Sequence, residues 1–363
     1  MGIPVNDIDY VVVGSSAEEM IALGYQPVGK DFPVFLHPQT HAEYALARTE
    51  RKTGIGYQGF HFYADPSVTL EQDLQRRDLT INAMAQRIDE TGARVGPIID
   101  PYGGQNDIRA KVFRHVSAAF AEDPLRLLRI ARFAARFPQF TIAAETKEAL
   151  HAIVQTGELS TLSAERVWQE IDRGMRSAEP LRMIEVLVDA GAAEQFLPQP
   201  LIAACTNQAL KSQLDRDLRL LTANNAADVD IVCALLLADL GKDAIRQWSE
   251  TIRMPHATRD FAELFSALKK RVTQQGYSAV EILAWFNQAD VWRKPERAKK
   301  LIALANTLHF KVDRISSALI AAQAINSQAV IQSLSAQEQQ QGESIRLAID
   351  AARLQAVESV TAA

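Results

Sequence analysis

Two aspartates near the start of the chain, Asp7 and Asp9, stand two positions apart at the mouth of the apolar run Tyr10-Val-Val-Val13, which Gly14 closes. That run reads as a buried strand. On a strand, residues at i and i+2 leave on the same face. Two carboxylates on one face at the edge of a core strand are costly unless something neutralises them, and hard oxygen ligands suit Mg²⁺. A polar turn before an ordinary strand is the other reading of this stretch.

A second stretch able to do chemistry is Glu122-Asp-Pro-Leu-Arg-Leu-Leu-Arg-Ile-Ala-Arg-Phe133. Pro124 suits the first turn of a helix. Asp123, Arg126, Arg129 and Arg132 recur every three residues and form one drifting stripe. Leu127, Leu128, Ile130, Ala131 and Phe133 cover much of the rest, so the helix is expected to be largely buried. Three arginines against one aspartate leave an excess of positive charge. The guanidinium fork matches phosphate oxygens, so the row suggests an anionic ligand, against the alternative of a salt-bridged surface stripe. Asp123 with Arg126 is also able to read a base edge. Arginine offers donors and aspartate acceptors, which together satisfy cytosine or adenine, whereas uracil and guanine reverse the pattern.

Other motifs carry less. Arg76-Arg77-Asp78 is a charge pair at a helix boundary, and Arg77 gains a ligand role only in company with the other elements. Gly54, Gly56 and Gly59 spell GxGxxG, but the loop follows the charged Arg48–Lys52 segment and opens no apolar helix. The strand–turn–helix context of a dinucleotide fingerprint is therefore missing. A loop beside a site is the better reading. The histidines are scattered, and His115 and His256 read as structural or surface groups.

The elements that must position these residues fall into two regions. Residues 1–116 read as α/β. They hold a capping box at Ser16–Glu19, strands at Val34–Leu36 and Glu43–Arg48, a helix over Leu70–Arg77, and a hairpin turning at Glu90–Gly92. From about Ser117 the chain is rich in Ala, Leu, Gln, Glu and Arg with helical periodicity, and Ser278–Glu281 and Ser335–Glu338 are further capping boxes. At 363 residues the chain can form two or three domains, and 47% hydrophobic with 23% charged residues is ordinary for a globular protein. No apolar run approaches a membrane span of roughly 20 residues. Cys205 and Cys233 are far apart, which argues against zinc or a disulfide framework and fits the cytoplasm. A net charge of −5 gives no global pull toward nucleic acid, so any such binding must use local patches.

With these pieces assembled, the chain resembles the bacterial class II tRNA nucleotidyltransferases, the CCA-adding enzymes. The likeness is carried, in the family's order, by Asp7–Gly14, Gly29–Pro38, Glu43–Lys52, Arg76–Ala83, Asp100–Gly104, Glu122–Arg126 and Glu165–Glu170, with Asp290–Arg297 the clearest island beyond. It implies an α/β nucleotidyltransferase head of the polymerase-β type (1–116), followed by an all-α neck (117–175) and an all-α body and tail (176–363). It implies addition of C, C and A to the tRNA 3′ end from CTP and ATP. Asp7 and Asp9 match the Mg²⁺-binding pair, and Glu43 falls where the superfamily often has a third carboxylate. Arg77, Arg129 and Arg132 match nucleotide-binding arginines, and Asp123 with Arg126 matches the base-selecting pair.

Two departures qualify that likeness. The family's Gly-Gly-x-Val-Arg-Asp loop precedes the aspartates, whereas this sequence begins six residues before Asp7, which puts the head's own activity in question. In the body, Ala238 stands where a phosphohydrolase signature has histidine beside Asp239, so no phosphohydrolase activity is expected. Lys269, Lys270, Arg271, Arg293, Lys294 and Arg297 are candidate tRNA contacts, each equally readable as a solvated helix end. A bacterial poly(A) polymerase and a non-catalytic tRNA-binding protein are the competing readings. The sequence leaves the oligomeric state open.

Overall fold

The computed structural model describes residues 8–28, 34–52, 54, 60–222, 228–274 and 277–361. Two compact units emerge, the first comprising 1–174 with 179–196 and the second 175–178 with 197–363.

The first unit opens with strand β1 (Tyr10–Val12), helix α1 (Ala17–Ala22) and strands β2 (Gln26–Val28), β3 (Val34–Leu36) and β4 (Glu43–Leu46). These strands form one sheet in the order β1-β4-β3-β2. β1 runs parallel to β4, and the other pairs are antiparallel. Alternation sends Val12, Tyr44, Leu46 and Phe35 to one face, where Met20 and Ala17 of α1 cover them. The Ser16–Glu19 capping box starts α1 as its sequence requires. One expectation is corrected here. β1 is a half-buried strand at the sheet edge among the described residues, and Val13 is 47% exposed. An apolar run alone does not distinguish a strand covered on both faces from one covered on a single face.

Strands β5 (Thr49–Lys52) and β6 (Phe60–Tyr63) form a hairpin, and all of the glycine-rich segment between them except Gly54 lies outside the described residues. Helix α2 (Leu70–Gln75) carries a Thr69–Gln72 capping box and stops before Arg76. Strands β7 (Ala85–Ile88) and β8 (Arg94–Ile99) pair as the expected hairpin. Asp100 lies just ahead of helix α3 (Gly104–Ala110), and its carboxylate accepts from the Gly104 and Gln105 amides at 2.7 and 2.8 Å. Gly104 is required there, because a Cβ would lie 2.2 Å from the Thr80 carbonyl oxygen.

Strands β9 (Val112–Phe113) and β10 (Thr141–Ile142) flank helix α4 (Leu125–Arg136), with helices α5 (Ala144–Gln155), α6 (Ala164–Met175) and α7 (Pro180–Asp189) beyond. α4 is buried along nearly its whole length and packs against α7. The first unit thus carries α7 with it and runs to Phe196.

The second unit is helical throughout its described residues, around Phe265, Leu268, Trp285 and Phe286. The Trp285 indole donates to the Leu264 carbonyl at 3.1 Å, so its one polar atom is satisfied inside the core. The Ser278–Glu281 box starts a helix, whereas the Ser335–Glu338 box starts only a short 3₁₀ turn over Glu338–Gln340.

Candidate functional site

Asp7 lies outside the described residues. Asp9 is exposed, immediately before β1. Tyr10 pairs with Tyr44 across the parallel β1–β4 ladder, so the same register carried back one residue sets Asp9 beside Glu43. The Tyr10 and Tyr44 rings stack at 4.4 Å between centroids with planes 5° apart. Side chains alternate along a strand, so Asp9 and Glu43 leave by the face opposite those rings. Glu43 is exposed as well. Two oxygen-donor side chains on one open face suit a hard cation. Among the described residues no group of three or more His, Cys, Asp or Glu is placed to hold a metal.

The arginine row of α4 differs from its expectation. Asp78 and Glu170, distant in sequence, answer its positive charge. Arg129 Nη2 lies 2.7 Å from Asp78 Oδ2, and Arg129 Nη1 lies 4.0 Å from Glu170 Oε1. Arg132 Nε donates to Glu170 Oε2 at 2.5 Å, and its guanidinium sits 4.2 Å over the Phe133 ring. Asp78 and Glu170 are buried, at 6% and 4% exposure. Burial pushes the Asp78 carboxyl upward, but the Arg129 charge and hydrogen bonds from Asn82, Arg129 and Leu79 outweigh it. The net position is below the ordinary aspartate range. Arg129 moves the opposite way: burial lowers it, and Asp78 more than compensates. Burial wins for Arg132, whose pKa is lowered despite Glu170. Arg129, the most open of the three at 33% side-chain exposure, is the member best able to reach a ligand.

Asp123 and Arg126 sit at the head of the same helix. Asp123 Oδ1 accepts from the Leu125 amide at 3.0 Å. Arg126 is buried and donates to the main-chain carbonyls of Arg76 at 2.5 Å and Ala119 at 3.4 Å. The pair is held at one place, with Arg126 tethered to the carbonyl just before Arg77. Arg77 itself donates to the Asn82 carbonyl at 3.3 Å and lies 3.4 Å from Asp73 Oδ2. Its Nε is buried with no hydrogen-bond partner among the described residues. Asp73 is 1% exposed and accepts also from the Arg48 amide and from Arg76. Glu50 takes the remaining arm of Arg76 at 2.7 Å.

Sequence reasoning on the stripe missed Glu170 and the carboxylate role of Asp78. A signal existed for Glu170. It lies one residue before Ile171 and three after Val167, both buried, so a charge stood on the apolar side of α6.

The second-unit cations divide. Lys270 and Lys294 are exposed. Lys269 pairs with the exposed Asp239 at 2.7 Å, and Arg293 with Asp290 at 2.9 Å. Arg271 is partly buried, which lowers its pKa, and it donates to the Ala267 carbonyl at 2.9 Å. Arg297 donates through Nε and Nη2 to the Ala289 carbonyl, at the end of the helix Ala279–Ala289. It serves there as a helix C-terminal cap.

Comparison with known proteins bears on these residues. Residues 1–114 match the Poly A polymerase head domain family, and 139–202 match a family described as the probable RNA and SrmB-binding site of polymerase A. A multifunctional CCA protein of Burkholderia pseudomallei is 42% identical over 98% of this chain and 95% of its own length. Its counterpart from Paraburkholderia phytofirmans is 43% identical over 92% of this chain and 91% of its own. Among solved structures, the CCA-adding enzyme of Bacillus stearothermophilus in complex with CTP superposes with a TM-score of 0.67. That match is at 21% identity and covers 99% of this chain and 85% of the other. The Thermotoga maritima CCA-adding enzyme complexed with tRNA superposes at 0.60, with 19% identity over 99% and 87%. No helix among the described residues is long and apolar enough to cross a membrane.

Proposed function

The chain belongs to the family of CCA-adding tRNA nucleotidyltransferases, and on that premise we propose that it adds C, C and A to the tRNA 3′ end from CTP and ATP, releasing pyrophosphate. The observation that carries the reading is the β1–β4 register, which sets Asp9 beside Glu43 on an open face. Asp7 and Asp9 would hold Mg²⁺, with Glu43 as the third carboxylate. Bound there, the metal supplies Lewis-acid stabilisation of phosphoryl oxygens and favours deprotonation of a hydroxyl. Arg77 and Arg129, with side chains 28% and 33% exposed, would offer their guanidinium groups to the phosphates, where fixed cations stabilise charge that grows in the transition state. Asp123 and Arg126 present acceptors and donors of the polarity that cytosine and adenine require. Lys269, Lys270, Arg271, Arg293 and Lys294 are candidate phosphate contacts in the second unit, and recognition there would follow tRNA shape.

The test is incorporation of labelled CMP and AMP into tRNA lacking its 3′ CCA. Asp9→Ala should lower the rate by at least about 10³-fold, since several kcal/mol of barrier rest on the metal site. Near-normal incorporation by that variant would sink the assignment. The head-domain and RNA-binding matches both name polymerase A, which keeps one second reading in play. Long tails made from ATP alone on generic RNA would select a poly(A) polymerase.

A further inference from the structure

The turn between β3 and β4 delivers Glu43 to the site, and one side chain holds it. His37 Nδ1 accepts from the main-chain amides of both Gln39 and Thr40, each at 3.2 Å. The same residue's amide donates to the Ala42 carbonyl at 2.9 Å, and its carbonyl accepts from the His41 amide at 3.0 Å. The Ala42 amide reaches Thr40 Oγ1 at 3.4 Å. His41 takes a left-handed conformation, φ 57°, uncommon for a residue with a side chain. Such a conformation persists where surrounding bonds over-determine it. The ring of His37 is fixed in turn by Tyr25, edge-on at 5.3 Å with planes 86° apart, and lies 5.9 Å from the Tyr44 ring.

Glu43 is the first residue of β4, directly after this turn, and pairs with Leu36, directly before it. A slip or loosening of the turn therefore moves Glu43 relative to Asp9 before it disturbs any other part of the sheet. Accepting both amides uses the Nδ1 lone pair, which leaves Nε2 as the ring nitrogen free to donate.

We propose that His37 is a positioning residue for nucleotidyl transfer: its Nδ1 closes the β3–β4 turn and so sets Glu43 against Asp9. The inference rests on the reading of Asp9 and Glu43 as catalytic carboxylates.

The experiment compares the full chain with His37→Ala and His37→Asn in steady-state CMP incorporation, with amide hydrogen exchange at Gln39 and Thr40. Asparagine readily accepts from amides two and three residues on, so it replaces the acceptor without the ring. His37→Ala should lower kcat on the order of 10- to 100-fold, the scale of a misplacement of about 1 Å, with KM for tRNA unchanged. Its Gln39 and Thr40 amides should exchange faster. His37→Asn should restore protection and return kcat to within roughly threefold.

An unchanged kcat in His37→Ala overturns the inference while leaving the functional reading intact. So does a loss that His37→Asn fails to recover, because the ring would then act only by packing against Tyr25. A parent chain that incorporates no CMP, with its turn amides protected as expected, overturns the functional reading itself and with it any catalytic consequence of the turn.

Discussion

Replacing Glu170 tests whether the arginine row is held by buried charge. The Glu170 side chain is 5% exposed and that of Arg132 10%, and they meet at 2.5 Å. Glutamine keeps the shape and one acceptor but leaves the arginine charge without its counter-charge. Breaking a buried pair on one side costs about 3–5 kcal/mol, because the surviving ion stays desolvated. Glu170→Gln, which retains a hydrogen bond, should sit near the lower figure, about 3 kcal/mol. For a folding unit of this size that is a fall in Tm of about 6–12 °C. Calorimetry that resolves the transition of the first unit is the assay. The pairing is then separated from generic core damage by Glu170→Gln combined with Arg132→Met, which removes both charges. That double variant should regain about 2 kcal/mol of the loss. A loss below about 1 kcal/mol for the single variant, or no recovery in the double, refutes the argument that buried pairing orients the row. Arg129 lies 4.0 Å from the same carboxylate. Glu170→Gln should therefore also raise KM for CTP, with the chemistry less affected.

Three further outcomes follow from the same geometry. Asp123→Asn replaces an acceptor by a donor and should erode discrimination of CTP and ATP against UTP and GTP by roughly 10- to 100-fold in kcat/KM, the scale of one hydrogen bond to a charged group; unaltered selectivity would remove Asp123 from base reading. Asp78 has a depressed folded-state pKa, so its contribution is present above the unfolded value of about 4 and is lost as pH falls through the folded one. Wild-type stability should drop on acidification below about pH 4 more steeply than that of Asp78→Asn, read by urea titration at each pH. Arg297→Ala should destabilise the second unit by about 1–2 kcal/mol through loss of the Ala289 cap, while leaving the tRNA Kd within roughly twofold. A large loss of affinity instead would return Arg297 to the RNA-binding surface.

The sequence alone determined what local patterns encode. The three-residue period of the α4 arginines and the capping boxes at Ser16 and Ser278 depend only on neighbours within a turn, so they were legible. The burial of α4 followed from its apolar coverage. What the arginines meet was not legible. Asp78 and Glu170 stand about fifty and forty residues from their partners. A charge that looks unanswered along one helix can be neutralised by any carboxylate the fold brings in. The same holds for Glu43, whose place beside Asp9 is a matter of strand register, and for Arg297, whose Ala289 partner ends the preceding helix. Periodicity names the face a residue occupies. Only the packed chain decides which other face it meets, because burial makes an unpaired charge costly and selects the arrangement that pairs it.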